Sequence, residues 1–320
     1  MNEITLFTAV LVTLLLIFAV WGRWWRERLA AAVQVVTLRD FASRHLDNVR
    51  DVQVFLPPGY AGGTEHYPAL YLNDGQDVGQ LGLRETLARL MARGQIVPLL
   101  VVAIPTNEER LQEYGTAVSA NAQGFGTKAA LYNRFVTEEL RPYINREFRV
   151  RERGTAVLGA SLGGLSAFDL AWNHPDLFGA VGVFSGSFWW RAGEDATEIP
   201  PGKLIAHEMV RQGSLMRHAS SVNRHLHGAQ MTDDESRMTD DGLPAMRFWF
   251  EAGTQDEASD RDDNGVIDAI QDTQELIDEL AALGYEYGRD VVYVEVLGGR
   301  HNYHTWAEVL PQFLIWAFPS

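Results

Sequence analysis

The segment Gly159-Ala160-Ser161-Leu162-Gly163 has the residue types and spacing for covalent chemistry. An apolar run, Ala156-Val157-Leu158, precedes it, and a helix-compatible run follows from Leu165. A serine in Gly-x-Ser-x-Gly between a buried strand and a helix sits on a strained turn that exposes its Oγ. Gly159 and Gly163 flank it because a Cβ there would collide where strand and helix pass closely. The helix N-terminus behind Ser161 offers free N–H groups and a positive dipole end to a developing oxyanion. This is the setting for attack on an ester carbonyl, with Ser161 as nucleophile. The alternative is a glycine-rich strand-to-helix turn without chemistry.

A serine needs a base, and the base needs an orienting carboxylate. After the last apolar run the chain reads Gly298-Gly299-Arg300-His301-Asn302-Tyr303-His304. His301 directly follows the glycines and is the expected base; His304 is expected to cap or pack the next helix. The preceding run ends in Glu251-Ala252-Gly253-Thr254-Gln255-Asp256-Glu257. Asp256 is the expected orienting acid, with Glu257 its main rival and Glu251 on the strand itself. An oxyanion hole requires two backbone N–H groups. Leu162, directly after the nucleophile, supplies one. The loop Asn73-Asp74-Gly75-Gln76 supplies the other, with the N–H of Gln76 as the candidate. Trp189 and Trp190 are candidate substrate-binding residues, with core packing as the competing reading.

A second constellation is Asp260-Arg261-Asp262-Asp263-Asn264-Gly265-Val266-Ile267-Asp268. Oxygen ligands at alternate positions and a glycine for the turn resemble the start of a calcium loop. Asp260, Asp262, Asn264, Val266 (through its carbonyl) and Asp268 would be the ligands. Gln271 stands where a bidentate glutamate is usual, which weakens such a site. The competing reading is an acidic helix start that complements the dipole. Catalysis by a serine, an acid and a histidine requires no cofactor, so calcium would be structural.

The elements that must position these residues alternate. Apolar runs at 52–56, 69–72, 99–104, 156–159, 180–184, 246–251 and 291–296 read as strands. Amphipathic stretches at 84–93, 131–146, 165–173, 266–283 and 305–317 read as helices. Such alternation predicts an α/β fold, a mainly parallel central sheet with helices on both faces. Residues 191–245 are polar and read as a cap insertion or as a solvated excursion. The chain has 320 residues and a net charge of −15, which argues against nucleic-acid binding. There are no cysteines, so disulfides and thiolate chemistry are excluded.

From Ile4 to Trp21 the sequence is apolar without a charge, followed by Arg23, Arg26 and Arg28. About 20 apolar residues span a bilayer core. The expectation is an N-terminal membrane helix over 1–22, a juxtamembrane linker over 23–46 and a catalytic domain over 47–320. A cleaved signal peptide lacks the basic start it would need.

The segments Val54-Phe55-Leu56-Pro57-Pro58-Gly59-Tyr60, Tyr67-Pro68-Ala69-Leu70-Tyr71-Leu72-Asn73-Asp74-Gly75-Gln76 and Arg110-Leu111-Gln112-Glu113-Tyr114 add to the serine turn. So do Pro175-Asp176-Leu177-Phe178-Gly179, Ser185-Gly186-Ser187-Phe188-Trp189-Trp190, the Gly253–Asp256 stretch, and His301 with Trp306. As a set they resemble the esterase group of the α/β-hydrolases that includes enterochelin esterases, feruloyl esterases, S-formylglutathione hydrolase and mycolyltransferases. The resemblance covers about residues 47–320. It implies the α/β-hydrolase fold, a Ser161–Asp256–His301 triad and an oxyanion hole at Gln76 and Leu162. It implies carboxylic-ester hydrolysis through an acyl-enzyme without choosing a substrate; the expected partner is a small-molecule or glycan-linked ester. An acyltransferase using the same residues, or a catalytically silent binding protein on this fold, are the alternatives. The positive-inside rule would place the domain in the cytoplasm. Many relatives are exported, and the extracytoplasmic side of the membrane is the expectation.

Overall fold

The computed structural model describes residues 32–213 and 246–320. Eight strands form one sheet: β1 (Gln34–Ser43), β2 (Asn48–Leu56), β3 (Ala69–Asn73), β4 (Leu100–Ile104), β5 (Ala156–Ala160), β6 (Ala180–Phe184), β7 (Arg247–Gln255) and β8 (Val291–Arg300). Their order is β1-β2-β4-β3-β5-β6-β7-β8. The β1–β2 and β2–β4 pairs are antiparallel and every other pair is parallel. The inner strands β3, β4 and β6 are buried along their whole length. That is why they read as continuous apolar runs rather than alternating ones.

The α-helices described from end to end include α1 (Leu83–Ala92), α2 (Arg110–Glu113), α3 (Ala129–Arg134), α4 (Arg141–Glu147), α5 (Leu162–Asn173), α6 (Asp268–Ala282) and α7 (Tyr303–Ala317). On one face of the sheet, Leu83, Leu87 and Leu90 of α1 meet Val309, Leu310, Phe313 and Leu314 of α7. On the other face, α5 buries Leu165, Phe168 and Leu170 beside Leu276 and Leu280 of α6. Phe168 also packs edge-on against Phe188, with ring centroids 5.8 Å apart, which fixes the loop after β6. α1, α5, α6 and α7 thus cover the two faces of the sheet, and the strand ends carry the candidate site.

All seven expected strands are present. β1 was not expected; it lies in the stretch read as a linker and pairs with β2 from Gln34 opposite Leu56 to Ser43 opposite Asn48. The helix expected at 131–146 is divided by a π-helical turn at Phe135–Leu140, ahead of Pro142. α5 starts at Leu162, earlier than the expected 165, because the first turn is built on the glycines.

The expected fold class holds for the mostly parallel sheet flanked by helices and is corrected at the N-terminus. Among the described residues no helix is long and apolar enough to cross a membrane. The membrane helix, the membrane partner and the membrane-anchored localisation expected from sequence are therefore unsupported by the structure. Residues 1–22, on which they rested, lie outside the described residues, as does most of the expected cap at 191–245.

Candidate active site

Ser161 stands between β5 and α5 with φ 56° and ψ −128°, a conformation that a side chain disfavours. Its N–H donates to the Phe184 carbonyl at 2.8 Å, which pins the turn to β6. A Cβ at Gly159 would stand 2.0 Å from the Gly163 carbonyl oxygen, so strand and helix can pass only without one. Leu162 opens α5, where first-turn N–H groups have no intrahelical acceptor.

His301 follows β8 directly. Its Nε2 lies 2.8 Å from Ser161 Oγ. Asn302 caps α7 by accepting from the Thr305 N–H at 3.1 Å, which sets the angle at which the chain leaves His301. The imidazole packs edge-on against Trp306, with centroids 5.3 Å apart. Burial pushes the His301 pKa below its usual range; Arg110 adds to this and Asp256 opposes it. A neutral imidazole is the form that can accept a proton. His304 is 84% exposed and faces Glu308 at 3.6 Å, away from the serine.

Asp256 directly follows the end of β7 and lines the same pocket as His301, with no hydrogen bond between the two side chains. Both of its carboxyl oxygens are sealed from solvent and without a hydrogen-bond partner. Burial raises its pKa; the Ser185 hydroxyl beside it, the Gly253 backbone and the His301 imidazole favour the ionised form. Ser185 does so without meeting hydrogen-bond geometry, and it accepts from Trp306 Nε1 at 2.9 Å. Glu257 is exposed on the rim of the same pocket.

The loop carrying Gln76 is held by a clamp. A Cβ at Gly75 would stand 2.5 Å from the Ala103 backbone, so the loop lies directly on β4. Asp74 adopts a left-handed conformation, φ 55° and ψ 44°. Arg110 grips its carboxylate with two donors, Nε at 2.7 Å and Nη2 at 2.8 Å. Thr106 donates to it as well, and the Asp74 N–H donates to Tyr114 Oη at 2.9 Å. The Gln76 side chain accepts from the Thr106 N–H at 2.9 Å. Tyr303 of α7 donates to Asp77 at 2.7 Å and ties this loop to the histidine helix. Neighbouring residues in sequence gave no sign of this clamp, because Asp74 and Arg110 come from separate loops; the Arg110–Tyr114 segment entered only through the resemblance.

The two tryptophans part company. Trp189 is 47% exposed and lines the pocket of about 230 Å³ with Asp256, Glu257, Ser187 and His301. Trp190 is a core residue packed on Gly115 and Gly126, so the structure does not bring it to the pocket.

The loop at 260–268 spends its oxygens on itself. Asp260 accepts from the N–H groups of Asn264 and Gly265, Asn264 Oδ1 from Val266, and Asp262 from the Gln271 amide. Asp268 accepts from Arg261, whose guanidinium also reaches Asp272 at 2.7 Å. Among the described residues no group of three or more His, Asp or Glu side chains converges as a metal site.

The Putative esterase family model matches residues 43–317. The uncharacterized protein YbbA of Bacillus subtilis is 28% identical over 200 residues, 58% of this chain and 79% of YbbA. An endo-1,4-beta-xylanase/feruloyl esterase of Xylanibacter ruminicola is 28% identical over 169 residues, 48% of this chain and 21% of that protein. The enterobactin esterase FES from Shigella flexneri shares the fold with a TM-score of 0.58 at 23% identity. That match covers 89% of this chain and 59% of the Shigella chain, so this chain spans little more than half of that protein's length. A family match running from the end of β1 to the end of α7 takes in every candidate catalytic residue, and the chain belongs to the Putative esterase family.

Proposed function

We propose that this serine-hydrolase-type esterase cleaves carboxylic esters in two steps, through an acyl-enzyme on Ser161. The observation that carries the reading is the 2.8 Å approach of His301 Nε2 to Ser161 Oγ. His301 takes the hydroxyl proton as Oγ bonds to the ester carbonyl. The carbonyl oxygen becomes an oxyanion, received by the N–H groups of Leu162 and Gln76. Collapse of the intermediate breaks the C–O bond, and His301 returns the proton to the departing alcohol. Water then repeats the cycle on the acyl-enzyme. Asp256 orients the imidazole and favours its cation, closing on it as the positive charge develops. Catalytic hydrogen bonds are often long before substrate binds and tighten in the transition state.

The pocket beside His301 supports a small-molecule or glycan-linked ester, with Trp189 as a face on which a ring can stack. The relative named feruloyl esterase supports an aromatic acid ester as the first class to test. The experiment is a panel of esters with aromatic and aliphatic acyl groups, run on the wild type and on Ser161→Ala. Turnover of aromatic esters that vanishes in the variant supports the reading; equal turnover in both contradicts it.

A further inference from the structure

A second carboxyl group lies beneath Asp256. Glu251 of β7 is 1% exposed. Its Oε1 has no hydrogen-bond partner, and its Oε2 is 3.4 Å from Ser185 Oγ, at the long limit. Side chains two apart on a strand share a face, so Glu251 and position 253 point the same way. A Cβ at Gly253 would stand 2.7 Å from Asp256 Oδ1. The Asp256 carboxyl is therefore folded back over the face of β7 from which Glu251 projects. Trp306 donates to Ser185 Oγ, which leaves the Ser185 proton free to point at the carboxyl groups. Among the described residues no arginine or lysine pairs with either acid.

Two ionised carboxylates that share one long hydroxyl donor, Ser185, and are sealed from solvent repel each other and lose their hydration, so one proton stays. We propose that Glu251 is a positioning residue, a neutral carboxylic acid beneath Asp256 that leaves Asp256 as the one negative charge presented to His301. This rests on the reading of Asp256 as the orienting acid. Burial, then the neighbouring Asp256, raise the Glu251 pKa to about 8, and Ser185 opposes them. The sign follows: Glu251 is neutral below that pH and ionises as pH rises through it. The second charge then pushes the Asp256 carboxyl from its place, and turnover falls. Tyr293 of β8 also senses the Glu251 charge, but from the opposite face of the sheet, and burial raises it to beyond this range. His301 titrates below its usual value and shapes only the acid limb.

The test is the pH profile of kcat for the wild type, Glu251→Gln, Glu251→Ala and Asp256→Asn. Glutamine keeps the neutral shape, so Glu251→Gln should retain most neutral-pH turnover and lose the alkaline fall by at least about one pH unit. Glu251→Ala opens a void beneath Asp256 and should lose about 10²-fold at every pH. An alkaline limb unchanged in Glu251→Gln overturns the proposal. So does a loss in Glu251→Gln as deep as that in Asp256→Asn, which would make Glu251 itself the orienting acid. Failure of the triad reading looks different, because Asp256→Asn would then keep full turnover. Carbon-13 NMR of wild-type protein with labelled glutamate carboxyls requires no variant. One carboxyl titrating near 8 is expected, and none titrating above the usual carboxylate range overturns the proposal.

Discussion

Both carboxylate oxygens of Asp256 are sealed from solvent beside the pocket that His301 also lines, and in the proposed mechanism this imidazole becomes a cation during attack. A charge in that position favours the cation and holds the ring in one tautomer. Asp256→Asn should therefore cut kcat by ~10⁴. Glu257, exposed on the pocket rim, touches what binds there and not the imidazole. Glu257→Gln should act on KM and leave kcat nearly unchanged. Steady-state kinetics of the two variants check this, and the reverse pattern would make Glu257 the orienting acid. At this scale the sequence was informative where chemistry is local. Ser161 is marked by glycines two positions to either side, and His301 by the glycines shortly before it. The Asp74–Arg110 grip joins residues 36 positions apart, and no local pattern encodes it. Trp189 and Trp190 are chemically alike, and only the packing of Gly115 and Gly126 decides which is buried.

Among the elements, the short α2 has a role out of proportion to its length. It carries Arg110 to the loop that holds Asp74 and Gln76, and Glu113 to the core. Glu113 meets Arg50 of β2 at 2.9 Å, with side-chain exposures of 0% and 3%. Removing one partner of such a pair leaves the other charge buried and uncompensated, at a cost of about 3–5 kcal/mol. Glu113→Ala should lower stability by that order in urea denaturation. It should also slow turnover in the molecules still folded, because Arg110 then holds Asp74 less firmly. Unchanged stability would mean that Arg50 finds another acceptor. The loop at 260–268 already holds a positive charge, Arg261 against Asp268 and Asp272. Its melting temperature is expected to be the same in calcium and in chelator. A rise in calcium alone would mean that an ion binds the folded loop, as the alternating oxygens suggested in sequence. β1 escaped the sequence reading for a physical reason. It is an edge strand exposed along most of its length, so it lacks the apolar run that marked the strands covered on both faces.

Over the whole molecule, alternating apolar runs and amphipathic stretches foretold a parallel sheet sandwiched by helices, because burial on both faces imposes that pattern. The antiparallel start β1-β2-β4 was not legible, since strand order depends on pairings between distant segments. Net charge is −15, so the field around the protein repels anions. Salt screens that field over about 10 Å at 0.1 M. For an anionic ester, kcat/KM should rise with ionic strength, while for a neutral ester of the same acyl group it should stay level. A fall for the anionic ester would reveal a local cationic funnel to the pocket. In the proposed mechanism Ser161 forms the covalent bond. Treatment with a fluorophosphonate followed by peptide mass spectrometry tests it most directly. One adduct is expected, on Ser161, together with complete loss of esterase activity, and neither adduct nor activity in Ser161→Ala. Activity that survives in a clean preparation of Ser161→Ala, or an adduct on a different serine accompanying inactivation, would contradict it.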